Sequence, residues 1–119
     1  MDLYNYTQLY KIYNYDIQTD LFPVKLNGKW GYIDKGGSIK ISYQFDKALM
    51  FCEGLARVKS GEKWGYIDKT GKIVIPATYD YAERFSEGFA SVMIENKWGF
   101  INRDGKLEIP YQFNEVSSF

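Results

Sequence analysis

Histidine is absent from this chain of 119 residues, cysteine occurs once, at Cys52, and proline only three times. Without histidine and with a single thiol, neither the usual zinc ligand sets nor a Ser-His or Cys-His nucleophile pair can be assembled from this chain. No internal disulfide can form. Excess charge of either sign is lacking as well. Fifteen basic residues balance fifteen acidic ones, so no global field recruits nucleic acid, an anionic membrane surface or an acidic substrate. Apolar runs are only a few residues long, and the start of the chain, Met1-Asp2-Leu3-Tyr4-Asn5-Tyr6, has neither the basic opening nor the apolar stretch of a secretory signal. Taken as the whole chain, the sequence is expected to be cytoplasmic, with no nucleic-acid or membrane partner and no cofactor.

What the chain has in excess is aromatic. Three Trp, eleven Tyr and eight Phe make up 18% of the residues, and Tyr in particular favours strands and amphipathic surfaces. The tryptophans, Trp30, Trp64 and Trp98, recur at a constant interval of 34 residues. Residues 21–54 laid over 55–88 agree at 18 of 34 positions, seven of them in a row from Lys29 to Lys35. A third copy occupies 89–119. Periods of 20 to 50 residues belong to arrays built from one supersecondary unit. The domain reading is therefore a repeat domain over 20–119, with units 21–54, 55–88 and 89–119, preceded by a segment over 1–19. In that segment Leu3, Tyr6, Tyr10, Tyr13 and Ile17 fall at helical spacing, which predicts a Tyr-rich, partly helical N-terminal cap.

Each unit reads as three strands. Phe22–Val24, Ala56–Val58 and Ala90–Val92 form a short alternating run. The links Leu26-Asn27-Gly28-Lys29 and Ile94-Glu95-Asn96-Lys97 carry hairpin chemistry, since Asn and Gly tolerate positive φ. The second strand is Lys-Trp-Gly-Tyr-Ile or its Phe variant. It ends in Asp34-Lys35-Gly36-Gly37, Asp68-Lys69-Thr70-Gly71 or Asn102-Arg103-Asp104-Gly105, with Asx first and Gly fourth, as a type I turn prefers. The third strand is Ile39–Ile41, Ile73–Ile75 or Leu107–Ile109, and Pro76 and Pro110 are expected to end its pairing. The tail that follows, such as Tyr79 to Gly88, is expected to be a turn or a single helical turn leading to the next unit.

The phrase Lys-Trp-Gly-Tyr-Ile-Asp-x-x-Gly-x-Ile-x-Ile-Pro, followed by Tyr-Asp-x-Ala-x-x-Phe-Ser-Glu-Gly-Leu-Ala-x-Val, resembles the WG (or KWG) β-repeat family of bacterial proteins over residues 20–119. Departures are Ser42 for the proline, Cys52 for the serine, and Asn102 and Asn114 for aspartates. The resemblance implies β-rich repeats of largely undefined function, often appended to other domains. It implies no shared catalytic residues.

The repeated residues Trp30, Gly31, Tyr32, Trp64, Gly65, Tyr66, Trp98, Gly99 and Phe100 therefore invite two readings. Alternation in the second strand sends Trp64, Tyr66 and Asp68 to one face and Gly65 and Ile67 to the other. The preferred reading is structural: each unit uses the same Trp and the same glycine notch to seal against the next. The competing one is a ligand ladder in which Trp30, Trp64 and Trp98 stack on sugar rings or cage a quaternary amine. Among the repeated carboxylates, Asp34, Asp68, Asp46 and Asp80 are expected to cap turns and helix starts. Glu53 and Glu87 are expected to bond to the next unit's backbone, and Cys52 stands where its sister unit has Ser86, as a tolerated small residue.

The fold expected is all-β: three imperfect 34-residue antiparallel hairpin or meander repeats in a solenoid-like array, with a closed pseudo-threefold ring as the alternative. The function expected is a non-catalytic interaction module. It binds a protein partner or a second copy of itself as a homodimer, and the alternative is a glycan or cell-envelope ligand held on the exposed Trp/Tyr ladder.

Overall fold

The computed structural model describes residues 21–113, with side chains described as far as Tyr111. The cap expected over 1–19 lies outside the described residues, as do Asn114 and the rest of the third unit's end. Every described element is a strand. The order is β1 (Phe22–Leu26), β2 (Lys29–Ile33), β3 (Ile39–Phe45), β4 (Lys47–Cys52), β5 (Leu55–Ser60), β6 (Lys63–Ile67), β7 (Ile73–Tyr79), β8 (Tyr81–Ala82), β9 (Phe89–Ile94), β10 (Lys97–Asn102) and β11 (Leu107–Phe113). They form three antiparallel sheets in the orders β1-β2-β3, β4-β5-β6-β7 and β8-β9-β10-β11.

Local chemistry explains the meander. Asn27 and Gly28 both take positive φ, as do Glu53-Gly54, Glu87-Gly88 and Glu95-Asn96, the backbone of a two-residue type I′ hairpin. The turns after the second strands close with Gly37, Gly71 and Gly105 at positive φ. Their amides donate to the carbonyls of Asp34, Asp68 and Asn102 at 2.9 to 3.0 Å. This is the expected type I turn, completed by a bulge residue that glycine supplies without strain.

Two elements differ from the sequence reading. The tail is a fourth strand, β4 or β8, which leaves the parent sheet after a single residue and pairs with the first strand of the next meander. Its alternation is broken by a bulge between Ala48 and Phe51, so that Met50, Phe51 and Cys52 are all buried. Nor does Pro76 end its strand. Pairing resumes beyond it, because Trp64 faces Tyr79 while Tyr66 faces Ile75, which puts two extra residues of β7 opposite Gly65. The proline rides on the outer side of this bulge, where no N–H is needed.

The central glycine is what admits that bulge. A Cβ on Gly65 would lie 2.5 Å from the Ile75 carbonyl oxygen, 2.7 Å from Ala77 N and 2.8 Å from the Pro76 carbonyl carbon, and Gly31 and Gly99 meet Ile41 O and Ile109 O in the same way. The notch is thus filled by the unit's own third strand, where the sequence reading placed the neighbouring unit.

The sheets stack through two cores. Trp30, Tyr32, Ile41, Phe45, Ala48, Phe51, Val58 and Ile67 gather between the first and second sheets. Trp64, Tyr66, Ile75, Tyr79, Phe85, Val92 and Ile101 gather between the second and third. β6 sends Trp64 and Tyr66 to one seam and Ile67 to the other, so both its faces are buried. The principal contacts between sheets run from first to second and from second to third, so the described residues form the stepwise open array.

Gly65→Ala is expected to cost about 2–3 kcal/mol, because only backbone atoms stand in the way and they cannot swing aside. Gly28→Ala, which meets open space and strains only its positive φ, should cost about 1 kcal/mol. Thermal or urea melts of the two variants check the difference, and equal losses would count against a close-approach role.

Candidate functional site

The conspicuous residues of the repeat meet at the joints between sheets. Trp64 is buried, and Trp30 and Trp98 are half-buried. Tyr81 presents its ring edge-on to Trp64 at 6.3 Å and to Trp98 at 5.8 Å, making a run Trp64–Tyr81–Trp98 in which Tyr81, 39% exposed, is the outermost ring. One repeat earlier the position of Tyr81 belongs to Lys47. Gly31, Gly65 and Gly99 lie inside their sheets, and Tyr32, Tyr66 and Phe100 are buried.

Three kinds of polar link hold the joints. The Tyr32 hydroxyl donates to the carbonyl of Leu49 at 2.7 Å, and the Tyr66 hydroxyl to that of Glu83 at 2.6 Å. Both acceptors lie 17 residues on, in the next sheet's first strand or just after it. Each ring also tilts against a phenylalanine of the next sheet, Tyr32 on Phe51 at 5.1 Å and Tyr66 on Phe85 at 4.9 Å. The second link is a carboxylate at the sheet boundary. Asp46 accepts from Lys29 Nζ at 2.6 Å and from the Gly61 amide at 2.6 Å. Asp80 accepts from Lys63 Nζ and from the Glu95 amide. These aspartates staple one sheet's lysine to the next sheet's hairpin, so the expected helix-start capping is replaced by a joint. In the third link Glu53 takes the amides of Glu87 and Gly88 on its two carboxylate oxygens, the bond to the next unit's backbone anticipated from sequence. Arg103 Nη1 donates to the Glu53 carbonyl and ties the third turn to the same hairpin.

Asp34 and Asp68 do cap their turns, the first accepting the Ser38 amide and the second accepting from Thr70 and Lys72. The middle sheet adds Arg57, largely buried, whose Nη1 donates to the Ala82 carbonyl at 3.3 Å and lies 3.6 Å from Glu83 Oε2. Its repeat equivalent Ser91 is buried with its hydroxyl unbonded among the described residues.

The electrostatics follow these bonds. The Lys29 ammonium and then the Gly61 amide hold the Asp46 carboxyl below its ordinary range, and Lys63 and then the Glu95 amide do the same for Asp80. Asp34 is lowered by the Ser38 amide and Asp68 by the Thr70 hydroxyl. Burial pushes the Tyr66 hydroxyl upward. Acids lowered in the folded state contribute stability above their unfolded pKa of about 3.9 and lose it as pH falls through the lower folded value. The folded chain is therefore expected to hold its melting temperature down to about pH 4 and to lose it below. In Asp46→Asn and Asp80→Asn the loss should begin from a lower plateau and be shallower, which melts across the acid range up to neutrality would check. For Tyr66 the sign is opposite: its contribution is complete below about pH 10 and falls as pH rises from there towards the folded value.

Among the described residues no group of three or more His, Cys, Asp or Glu side chains could hold a metal ion. The repeated carboxylates Asp34, Asp46, Glu53, Asp68 and Asp80 are all engaged with backbone amides. Sequence reasoning missed the tyrosine hydroxyl and lysine–aspartate joints. Their signal was the constant offset of 17 residues between Lys29 and Asp46 and between Lys63 and Asp80.

Tandem antiparallel meanders joined by repeated side-chain links define an all-β repeat protein. The family model described as WG containing repeat matches residues 30–64, 64–98 and 98–119, and the chain belongs to that family. No curated protein and no solved structure matches it. No helix among the described residues is long and apolar enough to cross a membrane.

Tyr66→Phe removes one hydroxyl and leaves the Glu83 carbonyl without that donor. It is expected to cost about 1–3 kcal/mol. A stability unchanged in urea melts would show that the joint is held by ring packing alone.

Proposed function

We propose that this protein is a non-catalytic interaction module that binds another protein, or a second copy of itself, through the surface of its β-repeat array. One observation carries the reading. Most of the large side chains that recur from unit to unit, the Trp, Tyr and Phe of the second strand and tail among them, turn inward or bond across joints, whereas several surface positions differ. Position 47 is Lys where 81 is Tyr, 59 is Lys where 93 is Met, and Lys40, Val74 and Glu108 share one place on the third strands. A constant scaffold with a variable face is how repeat arrays build binding surfaces. Exposed apolar residues at the start of each third strand, Ile39, Ile73 and Leu107, add contact area of the kind that interfaces bury. The reading includes a bacterial, cytoplasmic setting, in which the lone buried thiol of Cys52 stays reduced.

A second reading, a glycan or cell-envelope ligand on the aromatic edge, is favoured by the exposed ring of Tyr81 between Trp64 and Trp98. Trp64 itself offers little surface for stacking.

Affinity capture from native lysate, with the mass of the eluted complex measured by light scattering, separates the two. A stoichiometric protein complex or a homodimer is the expected result. Retention on polysaccharide or choline resin, with no protein captured, would replace the first reading by the second.

A further inference from the structure

The two joints between sheets differ in charge at their hairpin end. Lys47 on β4 lies directly opposite Lys59 on β5, and like charges placed so in an antiparallel pair are destabilising. The corresponding pair in the third sheet is Tyr81 opposite Met93, so the fold itself has no need of lysines there. Lys25 lies opposite Trp30 on the first hairpin, as Lys59 lies opposite Trp64 on the second. By the period of the repeat, Lys47 stands towards Trp30 as Tyr81 stands towards Trp64, with which Tyr81 is in edge contact, and β4 packs on both β1 and β2.

Four equivalent positions thus read Lys25, Trp30, Lys47 and Lys59 at the first joint, and Lys59, Trp64, Tyr81 and Met93 at the second. Among the described residues none of Lys25, Lys47 and Lys59 enters an ion pair. The neighbouring carboxylate, Asp46, feels the charge of Lys59 but bonds to Lys29 and to the Gly61 amide. Within the described sheets, then, Lys25 is the cross-strand neighbour of Trp30, and β4, packed on β1 and β2, carries Lys47 with Lys59 directly opposite it. Their mutual repulsion costs the free protein stability. An anionic partner would recover it.

We propose that Lys25, Lys47 and Lys59, grouped around Trp30, form a docking site for an acidic protein segment that presents two or three carboxylates beside an apolar side chain. The proposal rests on the protein-binding reading above and names the partner chemistry. A nucleic-acid strand fits less well, because a phosphate track needs its cations to continue along the surface. Here they stop at the second joint, where Tyr81 and Met93 replace two of them, and Glu95 occupies the third sheet's hairpin. A compact cationic group with one aromatic face suits a short peptide, whose apolar residue rests on the indole while the carboxylates meet the ammonium groups.

The test uses the full chain and a fluorescein-labelled peptide, Glu-Asp-Phe-Asp-Glu, titrated by anisotropy at low and at about 150 mM salt. Binding that weakens with salt is expected. Lys47→Tyr with Lys59→Met, which copies the third sheet's own residues and so preserves folding, should lower affinity about tenfold or more while raising the melting temperature by relieving the repulsion. Lys72→Ala with Lys106→Ala, at the opposite ends of the sheets, should bind as the parent does. Undiminished affinity in the Lys47/Lys59 variant would overturn the proposal, as would tighter, lysine-dependent binding of a single-stranded oligonucleotide than of the peptide. A protein complex from lysate that forms equally well with that variant would overturn this site and leave the protein-binding reading standing. Absence of any protein complex, with retention on polysaccharide, would instead remove the reading beneath it.

Discussion

The hydroxyl of Tyr66, bonded to the carbonyl of Glu83 within the seam between two sheets, is the interaction on which the rest of the architecture depends. A meander of three or four strands cannot bury a face alone, so it must meet its neighbour in one fixed position. Ring packing of Tyr66 on Phe85 supplies attraction without direction, whereas the hydroxyl picks out a single carbonyl. Tyr32 repeats the choice with Phe51 and Leu49. Once that position is set, the boundary aspartate comes within reach of both its lysine and the next hairpin, and Glu53 reaches the amides 34 and 35 residues on. The third unit has Phe100 in place of the tyrosine, so this device belongs to the two joints that the described sheets make with one another.

The same logic explains why exposed ion pairs recur in a protein whose stability they could hardly provide. Lys29–Asp46 is largely solvated, and such pairs are individually weak. Each aspartate, however, also holds a backbone amide of the following hairpin. Its contribution is to orient that hairpin, since the carboxylate is pinned between a lysine of one sheet and an N–H of the next. Register between the second and third sheets is thereby fixed at three points, the buried hydroxyl, the boundary aspartate and the hairpin glutamate, and between the first and second by the first two of these.

Much of this is legible in the sequence. The period, the all-β class, the Asx-x-x-Gly turns and the two faces of the central strand all follow from alternation and turn chemistry, which are local. The fourth strand is not, because the bulge between Ala48 and Phe51 breaks the period-two pattern by which strands are recognised, and its pairing partner belongs to the next unit. The role of Pro76 is hidden for a related reason. A proline normally ends pairing, but the glycine opposite it on the neighbouring strand creates room for two extra residues, and only the register of β6 with β7 reveals this. Alternation places Trp64 on the same side of its strand as Tyr66, yet its cover comes from Tyr81, a residue that the first joint replaces by lysine. Such differences between units carry no periodic signal.

Those differences are where selection on the fold and selection on binding can be told apart. A residue present in all units at an interior place, such as Gly31, Gly65 and Gly99, is explained by backbone approach alone. Where the units diverge at a place whose structural demand is the same, the scaffold has no preference, and the residue must answer to something else or to nothing. The lysine pair at 47 and 59 is such a divergence, since it replaces an arrangement the fold accommodates one sheet later, Tyr81 with Met93, by one that repels itself. Under the proposed docking role, that local cost is offset by contacts made outside the free molecule.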